Sequence, residues 1–245
     1  MNSSTYFSGL IDQLSYTNRS KTPEEVLHDA TLTLYYSFDN NSTCDDGPLG
    51  INGSLVGYSS FVPGRKGQAL QINKVNFSYV GAQGLVLLGR HDQSHSFSIW
   101  IKPTVVNTSS IIHLSSLPDG TGWCLPILSL TIAGQLITTS WDGIVHRVLG
   151  PAVPANTWTH AAATYSRTNG LRLYVNGTLA STSSPFSFVG STTPDYLFVG
   201  SPLAAINFPW WSDINGQYSG VVDELRVYSR ELSIDDIVSL ANPPF

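Results

Sequence analysis

Ser8–Ala30 (SGLIDQLSYTNRSKTPEEVLHDA) aligns without a gap on Ser219–Ala241 (SGVVDELRVYSRELSIDDIVSLA) at a constant offset of 211 residues. Six pairs are identical: Ser8/Ser219, Gly9/Gly220, Asp12/Asp223, Leu14/Leu225, Arg19/Arg230 and Ala30/Ala241. Several other pairs exchange like for like, as in Ile11/Val222 and Glu24/Asp235. The segment that closes a domain at the end of the chain therefore has a copy at the start, separated from any body it would close. Residues 1–30 read as the tail of a preceding repeat and residues 31–245 as one complete domain. The tail is expected to form a short strand and helix that pack loosely, because the sheet they would complete is missing.

A chain of 245 residues suits one large all-β domain better than two. Only 12% of residues are charged, while Ser, Thr, Gly, Pro and aromatics abound, favouring short strands and turns over long surface helices. The net charge of −5 comes without a Lys/Arg cluster, which argues against nucleic acid and anionic membrane as partners. No apolar run approaches the length of a membrane span, and Met1 is not followed by a basic and then apolar signal segment. Yet Asn-X-Ser/Thr occurs eight times, at Asn2, Asn18, Asn40, Asn41, Asn52, Asn76, Asn107 and Asn176, where composition predicts about three. That excess favours an extracellular or cell-surface setting, with the missing signal then reading as a fragment or an incomplete gene model and a cytoplasmic setting as the alternative. Asn41, Asn52, Asn76, Asn107 and Asn176 fall within the main domain as glycosylation candidates. Cys44 and Cys124 are too few for a disulfide framework, and spacing leaves one bridge and two free thiols equally open.

From Thr31 onward, short apolar or alternating runs recur between turn signals, the spacing of a two-sheet sandwich. In SFSIWIK, Phe97, Ile99 and Ile101 share one face and Ser98, Trp100 and Lys102 the other, so Trp100 is expected on the outer side of its sheet. Asn-Gly and Asp-Gly steps such as Asn176-Gly177 and Asp142-Gly143 predict hairpin turns. Ser233 with Asp236 forms a capping-box start for a helix carrying Ile234, Ile237, Val238 and Leu240, expected on the sandwich edge. The head copy repeats it with Thr22, Pro23 and Glu25.

The ordered series SFSIWIK, NTWTHAAATYS, LRLYVNG and GVVDELRVYSRELS resembles the LamG-like jelly-roll domains of the concanavalin A-like lectin/glucanase superfamily. The resemblance covers roughly Thr31–Asn242 and implies an all-β, two-sheet antiparallel jelly-roll sandwich with a short C-terminal helix. It further implies neighbouring LamG-like repeats, recognition of a glycan or an extracellular protein, and often a bound calcium ion. Calcium needs converging hard oxygens. Asp39, with Asp46 behind it in the loop after the first strand, and Asp223 on the closing strand are the expected ligands, turn capping being the equally weighted alternative. For ligand binding, Trp210 and Trp211 in INFPWWSDINGQYSG are the leading aromatic platform, with Trp141 in the SWDG turn a weaker one, against the reading that such rings cover a core end.

Catalysis is not expected. His28, His91, His95, His113, His146 and His160 show neither metal-ligand spacing nor a nucleophile partner. A laminarinase-type glycoside hydrolase needs two carboxylates on one substrate, and consecutive Asp223 and Glu224 would point to opposite faces of a regular strand. The sequence thus reads as a non-enzymatic recognition module in a multidomain array, with a purely structural spacer repeat as the alternative and a hydrolase as the least favoured.

Overall fold

The computed structural model describes residues 7–11, 14–73, 78–200, 214 and 216–243. Helix α1 (Pro23–Thr31) leads directly into β1 (Leu32–Tyr36), followed by β2 (Ser54–Val56), β3 (Ser60–Pro63), β4 (Gln68–Ile72) and β5 (Tyr79–Leu85). Then come β6 (His95–Pro103), β7 (Ser109–Ser115), β8 (Cys124–Leu130), β9 (Gln135–Trp141) and β10 (Val145–Ala152). The chain closes with β11 (Thr159–Ser166), β12 (Gly170–Val175), β13 (Thr178–Thr182), β14 (Asp195–Val199), β15 (Gly220–Tyr228) and helix α2 (Ile234–Ala241).

The strands form two antiparallel sheets, as the alternating pattern requires. One runs β13-β12-β11-β6-β15-β4-β3 with β1 also on β15, and the other β10-β9-β8-β7-β14-β5-β2. Between them lies a single apolar core that includes Leu34, Leu70, Phe97, Ile99, Ile101, Leu114, Leu197, Val222 and Leu225. Phe97, Ile99 and Ile101 alternate inward as expected. Every residue of β11 is buried, because this strand is covered on both sides. Ala161, Ala163 and Tyr165 stand opposite Ile99, Phe97 and His95, while His160 and Ala162 stand opposite Trp100 and Ser98 on the outer face.

That outer face carries a second apolar cluster of Ala162, Tyr174, Tyr228, Leu232 and Ile237. Helix α2 therefore lies on the face of the eight-stranded sheet, not on the sandwich edge where the sequence placed it. Small residues at Ser98 and Ala162 leave room for it, and Trp100 donates from Nε1 to the Leu240 carbonyl at 3.4 Å. The Asn176-Gly177 step turns β12 into β13 with φ of 50° and 80°, a two-residue hairpin whose positive dihedrals suit Asn and Gly.

Both helices start in complete capping boxes, Thr22 with Glu25 and Ser233 with Asp236. The head segment differs from the closing segment before its helix: among the described residues ahead of α1 there is no strand. A helix start is built from contacts three residues apart, whereas a strand needs neighbours from elsewhere.

Candidate functional site

Acidic residues gather where β15 changes partner. Gly220–Val222 pair with β4 and Leu225–Tyr228 with β1, leaving Asp223 and Glu224 between. Glu224 has a φ of 53°, and the ladder to β6 slips between Asp223 and Arg226, so a β-bulge absorbs one extra residue. Val222 and Leu225 both reach the core. The two carboxylates consequently share the outer face, correcting the opposite-face placement that a regular strand implies.

Glu224 accepts from the Tyr35 hydroxyl at 2.9 Å and from Arg226 Nη2 at 2.7 Å, and the Arg226 guanidinium lies 4.0 Å from the Tyr35 ring centroid. Asp223 Oδ2 accepts the backbone N–H groups of Arg65 at 2.7 Å and Lys66 at 3.0 Å. Burial pushes the Asp223 carboxyl up to about 7, with the Lys66 amide opposing the rise and the charge of Glu224 adding to it. Asp39 Oδ1 accepts the Gln68 N–H at 2.7 Å. Two carboxylates distant in sequence thus clamp one turn, Gly64–Gln68, between β3 and β4.

Asp46 accepts from Ser37 through both its N–H, at 3.2 Å, and its hydroxyl, at 2.6 Å. Its neighbour Asp45 receives the backbone N–H groups of Tyr35, Gly47 and Ile51. Among the described residues no three His, Cys, Asp or Glu side chains converge to hold a metal ion. Asp39, Asp46 and Asp223 accept backbone amides and neighbouring hydroxyls, a geometry that fits turn anchoring.

The opposite side of the sandwich is open. A cleft of about 690 Å³ lies on the outer face of the seven-stranded sheet, lined by Asn52, Tyr79, Gln83, Tyr196 and Phe198 among others. Its floor follows from register: Phe198 stands opposite Gly81, and Tyr196 opposite Gln83. A Cβ on Gly81 would sit 3.3 Å from the Phe198 ring, so the glycine lets that ring lie flat across the strand. Tyr79 packs edge-on to Phe198 with centroids 5.7 Å apart. Tyr79 and Tyr196 are half-buried and Gln83 is exposed, giving ring surface beside an amide that can donate and accept.

The sequence missed this cleft. Alternation in YVGAQGL sets Tyr79, Gly81 and Gln83 on one face and Val80 and Ala82 on the other, and an aromatic with a glycine and an amide on a solvent face was the available signal. Of the expected platform, Trp210 and Trp211 lie outside the described residues. Trp141 is half-buried against the main core. His160 is buried and bonded to Ser98 Oγ at 2.8 Å, a structural position. Cys44 and Cys124 are free thiols, Cys44 exposed in the loop after β1 and Cys124 at the head of β8. Asn41, Asn52, Asn107 and Asn176 are exposed, and Asn76 lies outside the described residues.

Solved structures with this fold include domain 4 of AbnA, an extracellular arabinanase from Geobacillus stearothermophilus, in complex with arabinotriose. It has 24% identity and a TM-score of 0.61 over 86% of this chain and 98% of that one. The binding domain of Paraclostridial Mosquitocidal Protein 1 has 17% identity and a TM-score of 0.63 over 87% and 52% of the respective chains. That of botulinum neurotoxin DC in complex with SialylT has 15% identity and a TM-score of 0.60 over 87% and 52%. The chain spans about half the length of these toxin domains. No curated protein matches the sequence. Residues 74–238, more than half of the chain, match the Laminin_G_3 family model. With its two-sheet sandwich and this match, the chain belongs to the concanavalin A-like lectin/glucanase superfamily.

Proposed function

We propose that this domain is a non-enzymatic extracellular recognition module that binds carbohydrate in the cleft on its seven-stranded sheet. The observation that carries the reading is the open array of Tyr79, Tyr196 and Gln83 across β5 and β14. The apolar face of a sugar ring stacks on a tyrosine while its hydroxyls take hydrogen bonds from a neighbouring amide, and the cleft volume suits a short oligosaccharide. Arabinotriose and SialylT in the related structures favour a glycan over a purely structural role. Exposed sequons at Asn41, Asn107 and Asn176 agree with an extracellular setting. Hydrolysis is disfavoured because buried Glu224 is already engaged by Arg226 and Tyr35, and buried Asp223 by two amides.

A glycan array probed with the full chain and with Tyr196→Ala tests this reading. Binding that the substitution lowers at least about tenfold supports it, since one ring contact contributes on the order of 1–2 kcal/mol. A blank array from folded protein, in calcium and in chelator alike, rejects it in favour of the spacer repeat.

A further inference from the structure

The head copy keeps the local contacts of the closing segment and lacks most of the distant ones, His28 edge-on to Tyr228 with ring centroids 5.4 Å apart being an exception. Arg19 grips Glu25 with Nη1 at 2.8 Å and also through Nη2, and Arg230 grips Asp236 at 2.8 Å and 3.2 Å. These are equivalent pairs, since 19 aligns with 230 and 25 with 236. Beyond them the copies diverge in burial. Val222, Leu225, Val227 and Ile237 are fully buried, whereas their counterparts Ile11, Leu14, Tyr16 and Val26 are 70%, 88%, 91% and 53% exposed.

Where the copies differ in chemistry, contacts change as units. Leu232 and Leu240 belong to one outer-face cluster, and at their positions the head carries Lys21 and Asp29, which form an ion pair. The buried Glu224–Arg226 pair is replaced by Gln13 and Ser15, so neither charge is left without the other. A segment drifting free of any partner has no reason to lose or exchange both members together, because an exposed apolar row confers nothing on an isolated tail.

We infer that Ser8–Ala30 is a closing segment, and that its partner is a second sandwich of this jelly-roll fold, which it completes as β15 and α2 complete this one. Ile11, Leu14 and Tyr16 enter that sandwich's core as Val222, Leu225 and Val227 enter this one. Val26 seats α1 on the outer face as Ile237 seats α2. Strand addition of this kind satisfies backbone hydrogen bonds on both sides of the added strand and buries its apolar row.

The chain contains a slot of the required kind, the one occupied by β15, so the inference is tested by transplanting the head into it. In the full chain, the sequence of residues 8–30 replaces residues 219–241; a second variant exchanges only 8–17 for 219–228 and keeps α2. A third carries the strand exchange with Ile11→Asp and Leu14→Asp in the transplanted segment. At least one of the first two is expected to retain a β far-UV spectrum and a single unfolding transition, with a midpoint within about 20 °C of the parent, while the third unfolds. Failure of both exchanges to fold overturns the inference, and so does equal folding of the Asp-bearing control.

Discussion

Glu224 follows Asp223 at a φ of 53°, and the two consecutive carboxylates leave β15 on the same side of the sheet. The bulge they form divides one flank of β15 between two partners, β4 before it and β1 after it. Asp223 turns toward the β3–β4 turn that borders the junction. Glu224 ties Arg226 and Tyr35 together above the β1 half. Asp223 and Glu224 thus join the two halves of a split sheet edge.

Glu224→Ala is expected to destabilise the domain by about 3 kcal/mol, because it leaves the largely buried Arg226 without its carboxylate partner. Glu224→Gly, which accepts the left-handed backbone more readily, is expected to recover at most about 1 kcal/mol of that. Urea denaturation of the three proteins measures both differences. A loss under about 0.5 kcal/mol for Glu224→Ala shows that the ion pair does not anchor the bulge.

Asp223 ties stability to pH. Its carboxyl titrates near 7 in the folded chain because it is buried, against about 4 when unfolded. The folded state therefore holds a proton that the unfolded state releases, so the group's contribution is complete below about pH 4 and is eroded as pH rises toward 7. Asp223→Asn keeps an acceptor for Arg65 and Lys66 and removes the titration. Its stability relative to the parent should improve from about pH 4 to pH 7, by up to about 1.4 kcal/mol per unit, and level off above that. Burial holds His95 and His113 down near 4 and His160 near 3, which costs stability as pH falls below about 6.5. That loss is common to both proteins and drops out of the comparison. Parallel pH profiles would refute the assignment.

What could be read from the sequence was local. The alternation of Phe97, Ile99 and Ile101, the Asn176-Gly177 turn and both capping boxes depend on residues within a few positions of one another. The bulge at Glu224 depends on β1 and β4 meeting β15 side by side, which no window of sequence contains. Helix α2 lies on the sheet face because Ser98 and Ala162 are small there, although its own apolar stripe fits an edge equally well. The cleft escaped notice for a similar reason: Tyr79 and Tyr196 come to line one cleft only through the pairing of β5 with β14.

The two thiols should react differently. Burial pushes Cys124 up to about 12, leaving almost no thiolate at pH 8, whereas Cys44 is exposed. An aromatic disulfide reagent is expected to titrate one equivalent quickly in the native protein and the second only after denaturation. Zero native equivalents, with none appearing on unfolding until a reductant is added, would instead reveal a bridge.

Asn52 lines the cleft and begins an Asn-Gly-Ser sequon. Its Oδ1 accepts the Asp45 N–H at 2.9 Å, so a glycan on Nδ2 would extend from the rim while the loop contact survives. Protein glycosylated at this position should bind sugar at least about tenfold more weakly than Ser54→Ala from the same host, which retains Asn52 and lacks the acceptor signal. Equal affinity, with occupancy of Asn52 verified by mass spectrometry, would move the binding site away from this cleft.

Ile237 and Val26 occupy equivalent places in the two helices, one buried beneath the outer-face cluster and one 53% exposed. Truncating a buried isoleucine removes its transfer free energy and leaves a cavity, so Ile237→Ala should cost about 2–4 kcal/mol. At an exposed site alanine removes little contact and improves helix propensity, so Val26→Ala should change stability by less than about 0.5 kcal/mol in either direction. The contrast isolates tertiary packing from helix formation, since both helices begin in the same capping box and carry the same Arg-to-carboxylate pair. A substantial loss at Val26 would mean that this side chain, like His28 of the same helix, already packs on its own sandwich and is not held in reserve for another.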